Sequence, residues 1–90
     1  MRKIVLADGK EFEITRCGAA DGFLWIGFPS GVLDFAQAVS VFSDETAIKT
    51  IVSTYNFDGM ETVYEGYTKL NHLQYETDGT LLIALKRGES

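Results

Sequence analysis

Four Asp-Gly pairs, Asp8-Gly9, Asp21-Gly22, Asp58-Gly59 and Asp78-Gly79, divide the chain into short runs rich in Val, Ile, Leu, Thr and aromatic residues. An Asp-Gly step suits the positive-φ backbone of a tight turn, and alternating apolar residues on either side of one read as paired strands. The spacing therefore predicts an antiparallel architecture assembled from hairpins.

The parity of the flanking residues fixes the registers. Ile4 and Leu6 share one face of a first strand, and Phe12 and Ile14 share one face of a second, because side chains alternate with period two. A strict two-residue turn at Asp8-Gly9 would set Ile4 against Glu13 and Leu6 against Glu11, mixing carboxylates into the core. A three-residue loop, Ala7-Asp8-Gly9, with Gly9 in a left-handed bulge conformation pairs Ile4 with Phe12 and Lys3 with Glu13. The last hairpin obeys the same rule: a Thr77-Asp78-Gly79 loop sets Tyr75 opposite Leu81 and Leu73 opposite Ile83. Positive φ is predicted at Gly9 and Gly79.

Phe23 to Phe28 is apolar on both faces apart from Gly27, the pattern of a central strand, and Pro29 ends it. Asp34 and Gln37 form a capping-box pattern that opens a helix. Phe35, Ala38, Val39 and Phe42 fall on one face of it, so docking through Phe35, Val39 and Phe42 is expected. Strands follow near 46 to 55, 60 to 70, 72 to 76 and 80 to 87. Gly66, inside the third-last of these, marks a bend or bulge. The expected fold is α+β, mainly antiparallel β: six or seven strands in a curved sheet or partly open barrel, with one short helix near residues 35–42.

Ninety residues form a single domain, 1–90, since two self-sufficient cores would not fit. Hydrophobic residues at 46% against 23% charged exclude intrinsic disorder. The one cysteine, Cys17, excludes an internal disulfide and points to a reducing compartment. The apolar run Ile4 to Ala7 is too short for a signal-peptide core or a membrane span. The net charge is −5, and residues 17 to 68 hold only Lys49 against seven acidic residues. That balance argues against direct nucleic-acid binding, which needs clustered Lys and Arg. An acidic surface kept for solubility is its plainest meaning.

No catalytic, cofactor or metal site is legible, and a noncatalytic protein is expected. Cys17 and His72 could form a nucleophile and base only if the fold joined them, and Cys17, before Gly18-Ala19-Ala20, reads as a loop residue. One Cys and one His cannot complete a structural zinc site, and the glycines lack phosphate-loop spacing. Glu11 and Glu13 read as a solvated face partnered by Lys3, and His72 as a surface strand residue.

The remaining signal is aromatic. Phe57 stands beside Asp58-Gly59 at an expected hairpin tip, where its own domain can cover it least, and is a candidate interface anchor. Trp25, Tyr64 and Tyr67 are further interface candidates, although in a small β domain such rings usually fill the core.

Leu6-Ala7-Asp8-Gly9, Val41-Phe42-Ser43-Asp44 and Tyr64-Glu65-Gly66-Tyr67-Thr68-Lys69-Leu70 together resemble small proteins of prophages and phages in Gram-positive bacteria, often encoded near tail genes. The resemblance implies a noncatalytic structural or accessory module, cytoplasmic in the host or virion-associated. Its partner would be a protein: phage tail proteins or further copies of itself. Two other readings follow from the residues: an acidic inhibitor of a host nucleic-acid-binding defence protein, needing its carboxylates on one face, and a carbohydrate-binding module, needing several rings in one plane.

Overall fold

A computed structural model describes residues 2–55 and 60–88. The chain runs β1 (Arg2–Leu6), β2 (Glu11–Ile14), β3 (Arg16–Ala20), β4 (Phe23–Phe28), α1 (Phe35–Phe42), α2 (Glu45–Ile48), β5 (Thr50–Tyr55), β6 (Met60–Glu65), β7 (Lys69–Tyr75) and β8 (Leu81–Lys86). The eight strands form two four-stranded antiparallel sheets. Sheet A has the order β2-β1-β5-β6 and sheet B the order β3-β4-β8-β7. The expected six or seven strands in one curved sheet or partly open barrel are thus corrected to two separate sheets.

Both terminal hairpins have the register that parity requires. Ile4 faces Phe12 and Lys3 faces Glu13, while Tyr75 faces Leu81 and Leu73 faces Ile83. Gly9 and Gly79 each have φ of 91°. Each turn is closed by its aspartate: Asp8 accepts from the Lys10 amide at 3.0 Å, and Asp78 from the Thr80 amide at 2.9 Å. The Thr80 amide also holds the Asp78 carboxyl below its ordinary pKa.

The inner faces of the two sheets share one core. Ile4, Leu6, Ile14 and Ile51 come from sheet A, and Leu24, Ile26, Phe28, Leu81, Ile83 and Leu85 from sheet B. β4 is central as expected, between β3 and β8. Its Leu24, Ile26 and Phe28 are fully buried, whereas Phe23 and Trp25 on its other face are half-buried.

The chain changes sheet three times: at Thr15, through α1 and α2 between β4 and β5, and at Gly66. Thr15 separates β2 from β3, and its amide donates to the Gly27 carbonyl at 2.7 Å. Gly66, with φ of 84°, turns the chain out of β6; its amide donates to Lys49 and its carbonyl accepts from Gly88. The single strand expected over residues 60 to 70 is therefore two, in different sheets, and Asn71 at the start of β7 is skipped by the pairing with β8.

α1 begins at the expected capping box: Asp34 accepts from the Gln37 amide at 2.7 Å, and the Gln37 side chain accepts from the Asp34 amide at 3.0 Å. It docks through Ala38 and Phe42, with the Phe42 ring 5.7 Å from that of Phe28. Phe35 and Val39, expected to dock as well, are exposed. The face of this two-turn helix that meets the core is that of Ala38, Val41 and Phe42, rotated away from Phe35 and Val39. Residues 46–48, expected to open a strand, belong instead to the second helix, Glu45–Ile48, capped by Asp44, which accepts from the Thr46 and Ala47 amides. Its Ala47 and Ile48 complete the core at that end.

Candidate functional surfaces

Cys17 is not in a loop but in β3, where it faces Ile26 across the ladder and so lies on the inner side of sheet B. Parity alone would have placed it there once β3 was recognised, but the run Gly18-Ala19-Ala20 lacks the β-branched and aromatic residues that mark strands. Its thiol lies against the hydroxyls of Ser53 and Tyr64. Ser53 is the buried polar residue of the described core. Arg2, on the same face of β1 as Ile4 and Leu6, donates to the Cys17 carbonyl at 3.3 Å. Desolvation raises the Cys17 pKa above the ordinary thiol value, outweighing the two hydroxyls and Arg2, which pull it down. Desolvation raises Tyr64 as well. Burial between the sheets thus disfavours the thiolate, the form a nucleophilic cysteine needs.

His72 stands apart from it. In sheet B the rows Cys17-Ile26-Ile83-Leu73 and Gly18-Trp25-Ala84-His72 lie on opposite faces. β3 and β7 are opposite edges of that sheet, about 14 Å apart across three strand spacings. The two side chains cannot act together. His72 shares a hydrogen bond with Gln74, Nε2 to Oε1 at 2.7 Å, and is exposed. Among the described residues no three His, Cys, Asp or Glu side chains gather as a metal site would require.

The interface candidates scatter over three places. Trp25 is on the outer face of sheet B, its ring 6.0 Å from Phe23 and 6.4 Å from His72. Tyr64 and Tyr67 meet edge to face at 6.4 Å beside the Gly66 bend, with the Arg87 guanidinium 5.4 Å from the centre of the Tyr67 ring. Phe57 lies outside the described residues. Trp25 and the two tyrosines thus do not line one plane.

The outer face of sheet B is itself partly covered. Leu82 and Ala84 point outward by parity, yet both are buried. Trp25 and His72 flank Ala84. Arg16 crosses Gly27, where a β-carbon would come within 2.7 Å of Thr15 Oγ1 and 3.1 Å of Arg16 Cγ, and it ends 3.5 Å from the Glu76 carboxylate. A glycine at 27 therefore makes room for the arginine stem over the sheet.

A different pair of rings is the more exposed. Phe35, 46% exposed in the first turn of α1, lies 6.3 Å from Tyr75, 53% exposed at the end of edge strand β7. The sequence reading missed this pair because helical periodicity assigned Phe35 to the core. The signal available was its place immediately after the N-cap, the turn of a docked helix least covered by its neighbours.

The acidic residues between 21 and 65 do not form one row. Asp34 and Asp44 are helix caps, Asp21 lies in the β3–β4 turn at φ 55°, and Glu45 pairs with Lys69 at 3.3 Å. Glu61 and Glu65 lie on the outer face of sheet A. No helix among the described residues is long and apolar enough to cross a membrane. Set against family models, curated proteins and solved structures, the chain finds no match in any of the three comparisons.

Proposed function

We propose that this chain is a noncatalytic module that works through protein-protein contacts, in the manner expected of a phage or prophage accessory protein in tail assembly. It would act in the host cytoplasm and travel with the virion where the assembly does. The observation that supports this reading most is the Phe35–Tyr75 pair: two large rings held against each other at the surface, beside a sheet edge. Aromatic side chains gathered in this way are the usual anchors of protein interfaces, and a neighbouring strand edge adds backbone groups for a partner to pair with.

The test is a photo-crosslinking amino acid at position 35, expressed in cells producing the phage whose genome encodes the chain. Crosslinks to that phage's own tail proteins are expected, and Tyr75→Ser should diminish them at least tenfold while leaving the melting temperature within a few degrees. Crosslinks that are absent, or that survive Tyr75→Ser unchanged, would overturn the reading.

A further inference from the structure

Charge is sorted by sheet. The strands of sheet B contain no Asp or Glu and carry Arg16, Lys69 and Lys86. The strands of sheet A carry Glu11, Glu13, Glu61 and Glu65, all on the outer face by register, where Lys3 is the one cation; Arg2, the other cation of these strands, lies on the inner face. Lys3 is already paired with Glu11 at 2.7 Å. Each outer face also has an apolar centre. On sheet A, Val5, Val52 and Val63 line up across three strands, and Val63 is 54% exposed. On sheet B the corresponding place is taken by Phe23 and Trp25.

We propose that the outer face of sheet A docks on the outer face of sheet B of a second copy, so that chains stack head to tail. This rests on the protein-contact reading and names one partner, the chain itself. Charge selects the arrangement. Two sheet-A faces together would oppose eight glutamates with two lysines, and two sheet-B faces would set Lys86 against Lys86, whereas A on B sets carboxylates against Lys86 with valines against Phe23 and Trp25. Arg16 and Lys69 contribute less, because Glu76 and Glu45 already neutralise them. Such a contact is heterologous: it either closes into a ring or continues as a filament.

A four-stranded face about 19 Å wide and 17 Å long is smaller than the ~800 Å² each partner gives to a stable pairwise interface, so a single contact is weak and sensitive to salt.

Two exposed substitutions test it: Val63→Arg blocks face A and Lys86→Glu blocks face B, and unchanged melting temperatures show that both chains fold. Sedimentation velocity from about 10 μM to about 1 mM at low salt, the range in which so small an interface would fill, should show the wild-type mass rising with concentration. Each variant alone should associate at least tenfold more weakly. Mixed, the two should form a discrete complex of twice the 10.0 kDa chain, through the one good face left on each. A wild-type chain that stays monomeric, a single variant that associates like wild type, or a mixture that gives no complex would each overturn the stacking. Crosslinks from position 35 to a tail protein would survive any of these results, so failure here is distinct from failure of the protein-contact reading.

Discussion

Gly27 and Cys17 show how single positions are read only in three dimensions. Gly27 looks like a lapse in an otherwise apolar strand, yet it is the place where Arg16 crosses sheet B. Gly27→Ala should push the arginine stem and Thr15 aside and cost about 1–3 kcal/mol, seen as a lower urea midpoint at unchanged slope. Cys17, held as a neutral thiol by burial, gives a pH signature. Its folded pKa is raised, so the stabilisation is whole below the ordinary thiol value of 9.0 and is lost as pH rises through the folded value. Tyr64, raised above 10.0, adds to the same alkaline loss. Stability measured by urea titration should therefore fall as pH climbs past 9, and Cys17→Ser, which cannot ionise there, should fall less steeply. A Cys17→Ser chain with an alkaline slope equal to wild type would contradict this account of the thiol.

Among the elements, the two terminal hairpins and the start of α1 were legible because each is specified by neighbours in sequence. Parity around Asp8-Gly9 and Asp78-Gly79 leaves one register that separates Ile4 and Leu73 from charged neighbours, and Asp34 with Gln37 marks a helix start on its own. Residues 45–48 were not legible as helix: one turn of Glu-Thr-Ala-Ile has no periodicity to detect, and it exists because Asp44 caps it and Ile48 is buried. Within α1 the docked face is rotated away from part of the periodic stripe, and this yields a contrast. Phe42→Ala should cost about 3–5 kcal/mol and Phe35→Ala under about 1 kcal/mol, because one ring fills the core and the other lies at the surface. Asp34→Ala should fall between them at about 1 kcal/mol through loss of the cap. Chemical denaturation of the three variants ranks them directly, and equal losses at Phe35 and Phe42 would contradict the docking geometry.

At the scale of the whole molecule, sheet membership was the step that sequence could not supply. β1 pairs with β5 and β4 with β8, partners separated by more than forty residues, and no turn chemistry announces such pairings. Every surface assignment follows from them: Cys17 and His72 on opposite faces, glutamates gathered outside one sheet, and cations without carboxylates in the strands of the other. The chain leaves sheet A for the last time at Gly66, and the placing of β6 and β7 in different sheets turns on that bend.

Cross-strand nuclear Overhauser effects across this bend are therefore the most direct measurement. Contacts of Thr62 with Ser53 and of Leu73 with Ile83, with no backbone ladder joining 61–65 to 69–73, are the expected result. A ladder of contacts zipping residues 61–65 onto 69–73 as a hairpin would put both strands in one sheet and contradict it.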